Sequence, residues 1–158
     1  MGNTVGRLSK VNLAYIAGFL DGDGSIMLQL HRREAGKEVF RVKTVVCFYQ
    51  DSRHHQDVEW IKQILDCGYI YKRNDHISEL RIEGFEKVLQ TLQALQPYLR
   101  FKRKQAKLML NLIPQLQHGL SKSEVVAGIE KMREYNYISH NRNTLEDVPV
   151  TTYMEGTG

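Results

Sequence analysis

LAYIAGFLDGDGSI, residues 13–26, decides how the rest of the chain is read. Leu13, Ile16 and Leu20 recur at helical spacing and predict a buried flank. Ala14, Gly18 and Asp21, with Ala17 beside them, predict a second flank of small residues. The helix then meets two acids, Asp21 and Asp23, set among glycines. A helix C-terminus carries partial negative charge, so acids there are locally unfavourable. A divalent cation would make them tolerable.

Outward from this stretch the periodicity alternates between helical and extended. Ser9 is the expected N-cap of a helix over 10–20. Residues 25–33 alternate, with Ile26, Leu28 and Leu30 on one face and Met27, Gln29, His31 and Arg33 on the other. REAGKE (33–38) reads as a turn. Residues 39–49 alternate again: Val42, Thr44, Val46 and Phe48 against Arg41, Lys43, Val45 and Cys47. A helix over 52–65 follows, with Val58, Ile61, Ile64 and Leu65 as its buried stripe. A second hairpin (69–73 and 77–83) turns at Asn74-Asp75. Leu80 and Ile82 face in, Glu79 and Arg81 out. Helices are expected over 85–95, 102–116 and 124–135, with Pro97 separating the first two and Pro114 kinking or ending the second. Residues 1–139 read as one domain, and periodicity fades from His140 into an irregular tail, 140–158.

The order α-β-β-α-β-β-α-α-α predicts an α+β fold, an antiparallel sheet with helices on one face. The uncovered face would carry Gln29, His31, Arg33, Arg41, Lys43, Tyr71, Arg73, Glu79 and Arg81. A β-ribbon so furnished can enter the DNA major groove. Seven residues of strand follow roughly 20 Å of groove. Arg100, Lys102, Arg103, Lys104 and Lys107 crowd a helix N-terminal region, where cations oppose the dipole, so phosphate contacts are the better reading.

The totals permit this without demanding it. A chain of 158 residues can bury a sizeable core. A net charge of +4 and a pI near 9.1 allow nucleic-acid binding. Cys47 and Cys67 form no CxxC, which argues against a cysteine-based zinc site. Neither a secretory h-region nor an 18-residue apolar run is present, so an intracellular protein is expected. An EF-hand fails: with Gly24 at loop position 6, position 1 is Phe19 and position 12 is Leu30, not Glu. His140-Asn141 lacks the surroundings of an HNH nuclease.

Residues 13–26 resemble the LAGLIDADG motif of homing endonucleases, in the form LAGF-x-DGDGSI. The likeness spans roughly residues 10–117, through LQPYLRFKRKQAKLML (95–110), and is nearest to the single-motif, homodimeric, intron-encoded branch. The resemblance implies an αββαββα core and a homodimer that cuts both strands of a long, near-palindromic DNA site, leaving short 3′ overhangs. It implies Mg²⁺, or Mn²⁺, held by Asp23 and the Gly22 carbonyl. Gln50 falls near the scissile phosphate, and Lys102 at the lysine that polarises water. Arg53 or His54 falls at a basic position of the site. Ala14, Ala17, Gly18 and Asp21 fall at the dimer contact. The same scaffold also serves RNA maturases and non-cleaving DNA binders, which often lack the second acid; here Asp23 is present.

Overall fold

A computed structural model describes residues 6–32 and 40–136. The turn at 33–38, Arg33 and the tail from 137 onward lie outside the described residues.

Helix α1, Lys10–Asp23, starts at Ser9, whose hydroxyl accepts the Asn12 N–H at 3.2 Å. It runs three residues beyond the expected end, through Gly22 and Asp23, and passes into strand β1 (Gly24–Arg32) without a loop. Gly24 makes that junction possible. A Cβ there would lie 2.5 Å from Leu20 Cδ1 and 2.7 Å from the Cys47 carbonyl. Strand β2 (Phe40–Asp51) pairs antiparallel with β1, with Gly24 opposite Phe48. A 3₁₀ turn (Ser52–His54) leads into helix α2, His55–Leu65. Strands β3 (Tyr69–Lys72) and β4 (Ile77–Glu83) complete an antiparallel sheet of order β1-β2-β4-β3.

Helix α3 (Phe85–Leu95), a 3₁₀ turn holding Pro97, α4 (Arg103–His118) and α5 (Lys122–Asn136) follow. Pro114 does not end α4. It lies on the exposed side, while Leu112, Ile113 and Leu116 hold the helix to the core. Helix α5 opens on a capping box: Ser121 Oγ accepts the Glu124 N–H, and Glu124 Oε1 accepts the Ser121 N–H.

One apolar core joins the sheet's inner face to the helices, as the alternation predicts. Ile26, Leu28 and Leu30 from β1, Val46 and Phe48 from β2, and Leu80 and Ile82 from β4 meet Ile16, Leu20, Val58, Ile61, Val88, Leu92 and Met109. Leu65 is only partly buried. Ala17 departs from its expected place among the contact residues. It is fully buried against its own core, so it faces inward with Ile16 and Leu20.

Candidate functional site

The two acids at the end of α1 have different fates. The Asp21 carboxylate accepts the backbone N–H of Arg100 at 2.8 Å and of Lys102 at 2.9 Å. The Lys102 ammonium donates to the Asp21 carbonyl at 2.8 Å. Charge-assisted hydrogen bonds from the backbone at the entrance of α4, with the Lys102 ammonium beside them, therefore make Asp21 tolerable. Asp23 is exposed, and among the described residues its carboxylate makes no hydrogen bond or ion pair. Burial pulls the Lys102 pKa below its ordinary value, while the negative charges of Asp21 and Asp23 pull it back up. So a cation and an open carboxylate sit together.

Gln50 belongs to the same end of the sheet, two residues beyond the Phe48–Gly24 pair. Its Oε1 accepts the Asp51 N–H at 2.9 Å. Arg53 and His54 follow, differently placed. Arg53 is clamped on Asp51 through Nε at 3.0 Å and Nη2 at 3.2 Å, and this contact holds the Asp51 carboxyl below its ordinary pKa. His54 is exposed, with Asp57 at 3.9 Å. His55 anchors the segment: Nδ1 meets the buried Ser78 hydroxyl and Nε2 meets Glu59, each at 2.9 Å.

The outward sheet face corrects several expectations. Val45 and Cys47 are fully buried, so they form the floor of the face and touch nothing outside it. β2 is an inner strand, with Met27 and Ser25 of β1 on one side and Glu83 and Arg81 of β4 on the other paired with Val45 and Cys47. Burial pushes the Cys47 thiol up to about 11. Glu79 and His31 are also buried. Glu79 accepts the Tyr71 hydroxyl at 2.6 Å and lies 3.7 Å from both Arg73 and Arg81. Glu83, not anticipated, accepts the Tyr69 hydroxyl at 2.8 Å, with Lys43 and Arg81 each 3.2 Å away. Its place two residues beyond Arg81 on β4 was the available signal. On β1, His31 meets Gln29 Oε1 at 3.2 Å, and the Gln29 amide leans on Met27 Sδ at 3.9 Å. Arg41 is exposed. Of the α4 cations, Arg100, Arg103 and Lys104 are exposed, with Lys104 near the Tyr135 ring.

The exposed side of α1 forms a third feature. Val11 is 79% exposed and Tyr15 64%, and Ala14 and Gly18 lie on the same open side. A Cβ at Gly18 or Gly22 would meet nothing within 4 Å, so the chain's own packing does not require either glycine. Phe101, 81% exposed, sits between the two residues that hold Asp21.

The donor set fits a hard divalent cation only in part. Asp23 and the Gly22 carbonyl offer oxygen ligands, and among the described residues no cluster of three His, Cys, Asp or Glu could cage a metal. Mg²⁺ suits such a site, since it commonly takes one or two carboxylates together with water and substrate phosphate oxygens. Among the described residues no helix is long and apolar enough to cross a membrane.

Comparison with known proteins agrees with this geometry. The family model described as LAGLIDADG endonuclease matches residues 16–111. The chain is 38% identical over 107 residues to the DNA endonuclease I-CvuI of Chlorella vulgaris, covering 68% of this chain and 66% of that protein, just under two thirds of its length. It is 27% identical over 146 residues to the DNA endonuclease I-CreI of Chlamydomonas reinhardtii, covering 90% and 89%. The crystal structure of I-CvuI in complex with its target in the presence of 2 mM Ca superposes with a TM-score of 0.76 at 32% identity, covering 90% of this chain and 92% of that one. The chain belongs to the LAGLIDADG endonuclease family.

Proposed function

We propose that this chain is half of a site-specific homing endonuclease, a homodimer that cuts both strands of a long, near-palindromic DNA site and leaves short 3′ overhangs. The observation that carries the reading is the contrast at the end of α1. Asp21 is saturated by its own chain, while Asp23 two residues on is open, beside a half-buried lysine, at the edge of a polar sheet. The relatives named as DNA endonucleases support it.

Asp23 and the Gly22 carbonyl would hold Mg²⁺, with Mn²⁺ as a substitute, and the bound ion would supply a water of lowered pKa and charge neutralisation at the leaving oxygen. Lys102, fixed by Asp21, presents its ammonium to the water and phosphate oxygens. Gln50 orients the scissile phosphate through its amide nitrogen. Of the two basic residues, Arg53 is already engaged by Asp51, so His54 takes the basic position. Arg41, Arg73 and Arg81 face the major groove. The open side of α1 is the dimer contact. A glycine in a helix interior costs about 1 kcal/mol relative to alanine, and Gly18 has no reason within its own chain to be glycine. A second α1 lying against Ala14 and Gly18 supplies the reason, covers Val11 and Tyr15, and brings two Asp23 groups to the axis.

Selection of cleaved duplexes from a randomised, near-palindromic library in Mg²⁺, with sedimentation of the protein, tests this. Linear products from one consensus and a dimeric mass are expected. A dimer that binds a consensus and never nicks it would mean a maturase or a DNA-binding protein on the same scaffold. A monomer on and off DNA would end the reading.

A further inference from the structure

Strand β3 is an edge strand, and two tyrosines stand on its outward face. Tyr71 pairs across the sheet with Glu79, and Tyr69 with Arg81. Leu80 and Ile82 turn into the core, so parity puts these four side chains on the opposite side. The two rings stack, 6.1 Å apart and inclined at 21°, and Tyr71 is 42% exposed. Its hydroxyl donates to Glu79 Oε2 at 2.6 Å. A carboxylate beside two guanidinium groups only accepts, so the phenol proton is committed to Glu79. That hydrogen bond, with partial burial, holds the Tyr71 pKa above its ordinary value, and the proton stays in place at neutral pH. Among the described residues it is the hydrogen bond that Glu79 accepts, since Arg73 and Arg81 stand farther off, each at 3.7 Å. Turning the hydroxyl away would strip a buried oxygen of its donor. What Tyr71 has left to offer a ligand is the lone pair of its phenol oxygen.

We propose that Tyr71 determines specificity at one base of each half-site: its phenol oxygen accepts the exocyclic amino group of a cytosine or adenine in the major groove, and Glu79 is the positioning residue that keeps the hydroxyl proton turned inward. In that groove cytosine N4 and adenine N6 carry donors, whereas guanine O6 and N7 and thymine O4 are acceptors. An acceptor aimed at an acceptor repels, so guanine or thymine on the strand facing Tyr71 is disfavoured. Tyr69 donates to Glu83 at 2.8 Å and stacks on Tyr71, so the pair is aimed before DNA arrives and loses little freedom on binding. Arg73, two residues on, carries donors and suits guanine. The hairpin thus offers both polarities. This inference rests on the nuclease reading above, and its test separates the two.

Bound duplexes are selected from the randomised, near-palindromic library in Ca²⁺, by the full chain and by its Tyr71→Phe variant. One position per half-site should lose its preference in the variant, with the rest of the consensus unchanged. In the wild-type consensus duplex the cytosine or adenine at that position is then replaced by an analogue without the amino group, pyrimidin-2-one or purine. Wild type should lose about tenfold in affinity, and Tyr71→Phe should bind both duplexes alike. Glu79→Gln should relax that same position and no other, because a glutamine amide either accepts the phenol proton or donates to the phenol oxygen. Should Glu79→Gln fail to fold, the two measurements on Tyr71→Phe carry the test. An unchanged consensus in Tyr71→Phe, or a wild type indifferent to the analogue, would overturn the proposal while wild-type cleavage of the consensus left the nuclease reading intact. A wild type that selects no duplex would overturn both.

Discussion

Glu79, Glu83, Asp21 and Asp23 all stand near cations, and they divide by region. On the β3–β4 hairpin, Glu79 and Glu83 are enclosed by Tyr71, Arg73, Arg81, Tyr69 and Lys43, so their charge is satisfied before any ligand arrives. At the end of α1 only Asp21 is so treated. Asp23 and the side of the helix carrying Val11 and Gly18 are left open. A satisfied acid stabilises the fold and aims its partners. An open one beside a cation in an otherwise ordered site is available for binding. The hairpin closes on itself; the end of α1 does not, which is what the proposed metal, DNA strand and second copy would require.

The largest effect expected from this contrast is at Asp23. Asp23→Asn should lower cleavage by about a thousandfold or more, roughly 4 kcal/mol of barrier, while melting temperature and DNA affinity in Ca²⁺ stay near wild type. Loss of affinity in step with cleavage would place Asp23 among the phosphate contacts instead. Next comes the open side of α1. Gly18→Leu should leave a folded monomer by sedimentation, because its side chain separates the two helices. A monodisperse, active dimer would refute close helix contact at this position.

Much of this was legible locally. The alternation of residues 25–33 and 39–49 named the buried face of β1 and β2, and Leu80 and Ile82 that of β4, because a strand's two faces are fixed by parity alone. Depth is another matter. Val45 and Cys47 have the right parity for the outward face, yet their burial depends on Arg81 and Glu83, brought alongside by β2–β4 pairing. The partner of Asp21 was hidden for the same reason, since Arg100 lies 79 residues away in the chain. Local charge rules marked both acids as needing compensation and could not separate them. Local rules also stopped α1 too early at its glycines and read Pro114 as kinking or ending α4, which runs on to His118 because tertiary packing outweighed propensity.

Asp21 sharpens the comparison because it should behave as the hairpin acids do. Asp21→Asn turns one acceptor toward donors and removes the charge that holds the head of α4. A cost of about 2 kcal/mol is expected, or roughly 4–8 °C in melting temperature for a chain of this size. Cleavage should fall as well, since the backbone at Lys102 is held less firmly, although its ammonium keeps the Asp21 carbonyl. An unchanged melting temperature would mean that Asp21 is as open as Asp23, and the distinction between them would fail.

The smallest effect is the most specific to the hairpin. Burial raises the Glu83 pKa, but the Tyr69 hydroxyl, Arg81 and Lys43 outweigh it and hold the carboxyl below the ordinary glutamate value. As pH falls, the unfolded chain takes up this proton first. The stabilisation is therefore complete above the ordinary glutamate range and disappears as pH drops through the lower, folded value. With the carboxylate partly open to solvent, the contribution should stay below about 1 kcal/mol. Melting temperatures of wild type and Glu83→Gln should differ most near neutrality and converge as pH falls below the ordinary glutamate range. A difference that stays flat through that range would show that Lys43 and Arg81 do not hold this charge. The hairpin would then be no more self-satisfied than the end of α1.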